Sequence, residues 1–221
     1  MTIAGVYLAA GAGSRMGGCK PAAELLPGVS LGGMGLLALL ASGLDAVYVV
    51  VRPGDPLGWL PEDAVLESKP YIVVCEEAAL GMAHSLRRGI ACAAAAGHEA
   101  AIVALADQPF VTPALLRGLT NGWRSEPGLD YIACGLEEST MPPVLLARSL
   151  FGSVNGLSGD QGAKRLLAEP GVTGGIMPIR EPTLVFDVDT PDELEAAKGI
   201  AWSYARIRNI QEVAIYREIS K

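Results

Sequence analysis

The sequence predicts an α/β fold in which helices cover both faces of a mostly parallel sheet. Short β-branched runs alternate along the 221 residues with segments rich in alanine and leucine. The strand candidates are almost unbroken in apolar character, as expected of strands that are buried on both faces. The length favours one domain, which we place at residues 1–200, followed by a C-terminal tail of unknown role at residues 201–221.

The strands are predicted from continuous apolar runs that end at turn residues. Ile3–Ala9 is the first, because it is apolar throughout and is followed by glycines. Similar runs predict further strands at Val47–Val51, Tyr71–Cys75, Ala101–Leu105, Asp130–Cys134, Met177–Arg180 and Leu184–Val188. In a sheet of this kind ligands bind beyond the carboxyl ends of the strands, so the loops after residues 9, 51, 75, 105 and 187 are candidate sites.

The helices lie between these strands. They are predicted at Leu36–Ser42, Ala79–Ala96 and Ala114–Trp123. Thr112 followed by Pro113 is a typical helix start, with a capping side chain and then proline in the first turn. Thr190 and Glu193 have the spacing of a capping box and predict another helix after the last strand.

Charge and composition exclude several classes of protein. There are 17 lysine and arginine residues against 24 aspartate and glutamate residues, a net charge of −7, which argues against a nucleic-acid partner. Half of the residues are hydrophobic, which excludes a disordered chain. The first fourteen residues carry no charge, and glycines interrupt the most apolar stretch. We therefore expect no secretory signal, no membrane span and a cytoplasmic protein with reduced cysteines.

The loop after the first strand, LAAGAGSRMGGCK at residues 8–20, is the most informative segment. Gly11 and Gly13 allow backbone N–H groups to approach an anion closely, and Arg15 and Lys20 add positive charges. The loop therefore predicts triphosphate binding. It is not a Walker A loop, but it approaches the dinucleotide fingerprint, with Met16 at the third glycine position. A reductase using NADP, with its 2′-phosphate on Arg52, is therefore an alternative.

This loop resembles the signature L-A-A-G-x-G-x-R-M-G-x-x-K of nucleotidyltransferases of the molybdenum-cofactor type. Sugar-phosphate and methylerythritol-phosphate nucleotidyltransferases share much of it. The resemblance implies a three-layer Rossmann-like fold of the nucleotide-diphospho-sugar transferase type. It also implies catalytic roles for Arg15 and Lys20 and nucleotide contacts from Ala9, Ala10, Gly11 and Gly13.

Two further segments resemble cytidylyltransferases that act on the molybdenum cofactor. Residues 80–86, LGMAHSL, match the G-M-x-x-S-L segment of that family, which implies that Gly81 and Ser85 lie near the base and sugar of the nucleotide. Residues 157–164, LSGDQGAK, match its G-D-x-G-A-[RK] element and imply acceptor binding by Gly159 and Asp160.

Three aspartates are candidate metal ligands. Asp107 directly follows the strand Ala101–Leu105, and the resemblance places a metal-binding aspartate there. Asp187 and Asp189, in FDVDTP, are two residues apart on an extended segment and so face the same side. Both are candidates for a second ligand. Mg²⁺ prefers one or two carboxylates together with phosphate oxygens and water.

The resemblance implies nucleotidyl transfer, in which a phosphate on the acceptor attacks the α-phosphorus of a nucleoside triphosphate and pyrophosphate leaves. Ala9 and Ala10 stand where guanylyl-transferring relatives have L-A-G-G, which implies CTP in preference to GTP. The implied acceptor is molybdopterin, and the implied product is molybdopterin cytosine dinucleotide for a molybdenum hydroxylase of the xanthine dehydrogenase type, contacted transiently. Purine-catabolism accessory proteins are a related group. The alternatives are GTP, a sugar or alcohol phosphate acceptor, and a non-catalytic molybdenum-cofactor chaperone.

Overall fold

The structure is a computed structural model that describes residues 1–11, 13, 16, 18–61 and 69–207, with only the backbone of residues 206 and 207. Arg15 and residues 208–221 of the predicted tail lie outside the described residues. The strands are β1 Ile3–Leu8, β2 Glu24–Leu26, β3 Val29–Ser30, β4 Ala46–Val51, β5 Tyr71–Val74, β6 Ala100–Leu105, β7 Tyr131–Leu136, β8 Ser139–Ala147 and β9 Gly174–Pro178. The α-helices are α1 Leu31–Leu40, α2 Met82–Ala95, α3 Pro113–Ser125, α4 Lys164–Leu167 and α5 Pro191–Ile207.

The main sheet has the strand order β5-β4-β1-β6-β8-β7-β9. The pairs from β5 to β6 are parallel, and so is the pair of β7 with β9. Only β8 runs against its two neighbours. The predicted mostly parallel sheet is therefore confirmed. The chain leaves β1 toward β4 and β5, then returns to place β6 on the other side of β1, so the strand order reverses at β1.

Three layers follow from the way β1 is buried. All of its residues are buried, and successive side chains point to opposite faces. Ile3 and Tyr7 pack in one apolar cluster with α1 and α3, whereas Val6 packs in a second cluster with α2. Helices thus cover both faces of the sheet, as its apolar strands predict.

The predicted helix starts are only partly right. Thr112 accepts a hydrogen bond from the Leu115 N–H at 3.2 Å, and Pro113 begins α3. The capping box is also confirmed, since the Thr190 N–H donates to Glu193 at 2.8 Å. The helix predicted at Leu36–Ser42 instead begins at Leu31, because Ser30 caps it by accepting from the Gly33 N–H.

One predicted strand is absent from the structure, and one observed strand was not predicted. The strand predicted at Leu184–Val188 is absent from the structure, where Pro182–Val185 forms a 3-10 helix and an extended segment without strand pairing follows. Conversely, the sequence did not indicate β8, because its prolines Pro142 and Pro143 interrupt the apolar run.

Helix α5 continues past residue 200, where we placed the domain boundary. Ala201 and Ala205 are buried in a third cluster with β2 and β3. The helix is therefore part of the folded unit up to its last described side chains. Among the described residues, no helix has the length and apolar character needed to span a membrane.

Candidate active site

The candidate site lies at the carboxyl ends of β1 and β6, beside the reversal in strand order where open α/β sheets bind their ligands. The loop after β1 brings Lys20 to this place, and the loop after β6 brings Asp107. The extended segment before α5 brings Asp187 and Asp189, because the Val188 N–H donates to the Asp107 carbonyl at 3.0 Å. The predicted residues from three distant parts of the sequence therefore meet.

Lys20 is the centre of this arrangement. Its ammonium donates to Asp107 Oδ2 at 2.8 Å and to Asp189 Oδ1 at 2.6 Å. Only 11% of the Lys20 side chain is exposed. Desolvation lowers the pKa of Lys20, but the attraction of Asp107 and Asp189 outweighs it and the net pKa is raised. Lys20 is therefore charged at neutral pH and fixed between two carboxylates.

Gly13 allows the loop to close around Lys20. Its φ is +56°, a left-handed conformation that glycine adopts without strain. A β-carbon at this position would lie 2.5 Å from the Gly18 carbonyl oxygen and 3.0 Å from the β-carbon of Lys20. The second glycine of the predicted phosphate loop is thus required by the backbone itself.

One carboxylate oxygen of Asp107 has no hydrogen-bond partner among the described residues. Oδ2 is paired with Lys20, whereas Oδ1 is buried and accepts no hydrogen bond from any described residue. Buried carboxylate oxygens are normally satisfied. The free oxygen therefore suits a cation or a donor that arrives with the substrate.

Asp187 lies in the same electrostatic environment. Although the residue as a whole is exposed, desolvation of its carboxyl group by the surrounding protein raises its pKa to about 6, and repulsion by Asp107 adds to the rise. Hydrogen bonding by Gln108 lowers this pKa, and Lys20 lowers it less. Asp187 is thus mostly ionised at neutral pH and coupled to the other two aspartates.

The three carboxylates do not by themselves form a ready metal cage. Among the described residues, no group of three His, Cys, Asp or Glu side chains is arranged to hold a metal ion. Asp107 and Asp189 are joined through Lys20 instead. Two carboxylates, with the remaining positions left to phosphate oxygens and water, are what Mg²⁺ commonly uses in nucleotide enzymes.

Gln108 supports the site and was missed by the sequence reasoning. It is fully buried, and its side-chain amide donates to the Pro142 carbonyl at 3.2 Å and to the Val185 carbonyl at 3.5 Å. It therefore ties β8 and the segment that carries Asp187 to Asp107. Its position directly after Asp107 was the one signal that could have identified it.

The remaining residues of the phosphate loop have clear positions. Ala9 and Ala10 are buried, and Gly11 is exposed. Arg52, at the end of β4, donates to the Ala10 carbonyl at 3.3 Å. The guanidinium that the reductase alternative assigned to a 2′-phosphate is thus used to hold this loop.

The predicted base and acceptor segments contact each other. The Ala83 N–H, in the first turn of α2, donates to the Gly159 carbonyl at 2.9 Å, and Gly81 packs on the backbone of Gly159. Asp160 is exposed beside them. Ser85 is only 4% exposed, so little of it is available to a nucleotide in this structure.

Comparison with known proteins identifies the family of this chain. The family model described as a MobA-like NTP transferase domain matches residues 5–173. The purine catabolism protein PucB of Bacillus subtilis is 32% identical over 201 residues, which cover 88% of this chain and 95% of PucB. A probable molybdenum cofactor guanylyltransferase of Mycobacterium tuberculosis is 32% identical over 117 residues, 53% of this chain and 54% of that protein.

Solved structures share the fold. The crystal structure of Rv0371c from Mycobacterium tuberculosis superimposes with a TM-score of 0.73 at 24% identity, covering 90% of this chain and 99% of Rv0371c. A structure of the same protein in complex with manganese gives a TM-score of 0.68 at 23% identity. Both likenesses support the three-layer fold of nucleotide-diphospho-sugar transferases.

Proposed function

We propose that this chain, which belongs to the MobA-like NTP transferase family, is a Mg²⁺-dependent cytidylyltransferase that joins CTP to molybdopterin. Its coarser activity, nucleotidyl transfer of the MobA-like type, follows from the family. The observation that carries the proposal is the cluster of Lys20, Asp107 and Asp189 at the carboxyl ends of β1 and β6. It combines a fixed cation for phosphate with carboxylates for a metal.

Lys20 and Arg15 would bind the triphosphate. Lys20 is charged and lies at the end of the glycine loop, so a triphosphate seated on that loop comes within reach of its ammonium. Arg15 belongs to the same loop and lies outside the described residues. Charge that builds up on the leaving pyrophosphate would be stabilised by these two side chains, which is the main catalytic contribution expected of the protein.

Asp107 would hold the metal through its unpartnered Oδ1, with Asp189 or Asp187 as the second carboxylate. Bound Mg²⁺ supplies positive charge that orients and neutralises the phosphate oxygens. The ion pair of Asp107 with Lys20 and the hydrogen bond from the Val188 N–H to the Asp107 carbonyl keep these carboxylates in fixed positions. The manganese complex of the structural neighbour Rv0371c is in keeping with a divalent cation at this fold.

The choice of CTP rests on the first two residues after β1. Ala10 stands where guanylyl-transferring relatives have the first glycine of L-A-G-G; it is buried, and its carbonyl accepts from Arg52. The added methyl group reduces the space beside the nucleotide, which favours the smaller pyrimidine base. GTP is the second candidate, because one relative is named as a guanylyltransferase.

The acceptor is proposed from the relatives and from the site. The guanylyltransferase is named for the molybdenum cofactor, and PucB is named for purine catabolism. The first name supports molybdopterin as acceptor, whereas the cytosine dinucleotide as product follows only from the proposed choice of CTP. Delivery of the product to a molybdenum hydroxylase of the xanthine dehydrogenase type, through a transient contact, is proposed from the resemblance of the sequence segments alone.

A pyrophosphate-release screen tests this proposal. The purified chain is incubated with Mg²⁺, each of the four nucleoside triphosphates and either molybdopterin or a sugar phosphate. We expect release with CTP and molybdopterin and much less with GTP. Faster release of pyrophosphate with GTP than with CTP would mean that the nucleotide substrate is GTP. Release with a sugar phosphate but not with molybdopterin would mean that the acceptor is a sugar phosphate. Binding of the molybdenum cofactor without any release of pyrophosphate would indicate a non-catalytic chaperone.

A further inference from the structure

The loop Leu157–Gly162, called the 157–162 loop below, is fastened to the start of α2. We infer that Arg87 is a positioning residue for the acceptor, because it holds this loop beside the nucleotide segment. The inference rests on the proposed function, since it takes Gly159 and Asp160 as the acceptor side of the site. It adds a residue to which neither the sequence nor the relatives gave a role.

The first fastening is a helix cap made by the loop. The N–H groups of the first turn of a helix have no partner within the helix. In α2 the Ala83 N–H donates instead to the Gly159 carbonyl at 2.9 Å. The 157–162 loop thus supplies the hydrogen-bond acceptor for this N–H group at the start of α2.

The second fastening is a backbone contact between two glycines. Gly81 has a φ of +120°, and a β-carbon there would lie 2.3 Å from the Gly159 carbonyl carbon and oxygen. No side chain fits between the two segments. The predicted nucleotide residue Gly81 therefore also determines how closely the acceptor loop approaches α2.

The third fastening is Arg87. It lies one turn after Ala83, on the same face of α2. Its guanidinium donates to the Leu157 carbonyl at 2.8 Å, and its Nε is buried with no hydrogen-bond partner among the described residues. Arg87 has no carboxylate partner among the described residues, and a partly buried guanidinium without one is costly. The hydrogen bond that Arg87 makes in the structure is to the backbone of this loop.

The loop itself is a small rigid unit. Leu157 and Ala163 are buried on either side of an exposed tip. The tip is closed by two hydrogen bonds between Ser158 and Gln161, from the Ser158 N–H to Oε1 at 3.0 Å and from the Gln161 N–H to the Ser158 carbonyl at 3.1 Å. Because the tip is closed, release of Leu157 would shift Gly159 and Asp160 together.

Arg87→Ala separates this role from nucleotide binding. We expect KM for molybdopterin to rise by about tenfold, the factor that one hydrogen bond from a charged donor is commonly worth, while KM for CTP stays within about twofold. Arg88→Ala is the matched control, since Arg88 is the next residue along α2 and is exposed. It should leave both constants unchanged. Arg87→Lys should recover part of the acceptor affinity, because one donor returns without the planar fork.

Hydrogen exchange of the full chain without ligands gives a readout that does not depend on activity. In Arg87→Ala the amide of Ala83 and those of the 157–162 loop should exchange faster, and in Arg88→Ala they should not. Unchanged exchange, an unchanged acceptor KM, or an equal rise in both KM values would each overturn the inference. If the wild-type chain released no pyrophosphate with any pair of substrates, the proposed function would fail, and with it the acceptor role, even where exchange reported that Arg87 holds the loop.

Discussion

Around Lys20 the site is built from charged side chains, whereas around Gly159 it is built from backbone. On the first side the Lys20 ammonium forms ion pairs with Asp107 and Asp189, so the contacts depend on charge. On the second side a carbonyl caps α2 and two glycines touch. The first arrangement suits the transfer of charged phosphates, and the second fixes the distance between two segments.

This difference predicts how each side responds to change. Removal of a charge should lower the rate of nucleotidyl transfer and leave the fold intact. The reason is that Lys20 and its partners lie at the end of the sheet and outside its apolar clusters. Alteration of the backbone contact should reduce stability as well as acceptor binding. Three substitutions test this contrast, and a fourth lies far from both regions; they follow in decreasing order of expected effect.

The largest effect is expected for Asp107→Asn. The substitution keeps the size of the side chain but removes the charge that faces Lys20 and the proposed metal, so we expect CTP-dependent pyrophosphate release to fall by about 100-fold or more. Thermal unfolding should change little, because Asp107 is partly exposed. Wild-type activity with unchanged dependence on Mg²⁺ would remove Asp107 from the metal site.

Lys20→Met should separate phosphate binding from metal binding. Transfer should fall by about tenfold or more, since a fixed charge on the triphosphate is lost. In the absence of nucleotide, however, Mn²⁺ should bind several-fold more tightly, because the ammonium between Asp107 and Asp189 neutralises the charge of these carboxylates and repels a second cation.

Isothermal titration of the nucleotide-free chain with Mn²⁺ measures this effect. Lys198→Met is the matched control, because Lys198 forms an exposed pair with Glu195 on α5. Weaker binding of Mn²⁺ to Lys20→Met would mean that Lys20 assists the metal site and does not compete with it.

The sequence predicted the charged side of the site better than the backbone side. Lys20 and Asp107 could be placed together because parallel strands bring their carboxyl ends to one edge of the sheet. Asp187 and Asp189 reach the same site although the strand predicted before them is absent. The hydrogen bonds from Lys20 to the carboxylates could not be predicted, since they depend on the path of a loop that no periodicity describes.

The backbone side depends on tertiary contacts between elements far apart in the sequence. Gly81 and Gly159 were expected near ligands, but their mutual contact has no local pattern, and Arg87 is one of two adjacent arginines on an amphipathic helix. The same limit explains the wrong strand at Leu184–Val188. That run is apolar, yet Pro182 begins a 3-10 helix there, and the Val185 carbonyl of this helix accepts from Gln108. In the extended segment that follows, the Val188 N–H donates to the Asp107 carbonyl.

Gly81→Ala should destabilise the fold. Alanine at a φ of +120° is strained, and its β-carbon would collide with the Gly159 backbone, so we expect the free energy of unfolding to fall by about 1–3 kcal/mol. Denaturant unfolding measures this loss. Gly199→Ala is the control, because Gly199 lies on α5 with open space around it and should gain up to about 1 kcal/mol. A neutral Gly81→Ala would mean that the contact is readily relaxed.

The smallest effect is expected far from both regions, at Asp130 on the opposite end of the sheet. Its carboxylate accepts from Ser149 Oγ at 2.6 Å and from the Thr173 N–H at 2.9 Å, which lowers its pKa, the Ser149 bond being the larger cause. A lowered pKa in the folded state contributes stability above the ordinary value of 3.8, and this contribution is lost as the pH falls through the folded pKa. Asp130→Asn should therefore cost less than about 1 kcal/mol near neutral pH, because the group is solvent-accessible.

Denaturant unfolding between about pH 7 and pH 3 checks the sign of this effect, since the difference between wild type and Asp130→Asn should shrink as the acid form takes over. Ser149→Ala should reproduce part of the loss, because it removes the larger of the two causes. Neither variant should change KM for CTP or for the acceptor, since Asp130 joins the starts of β7 and β9 at the end of the sheet opposite Lys20. A difference that grew toward acid pH would mean that the carboxylate is strained in the fold and that these hydrogen bonds do not stabilise it.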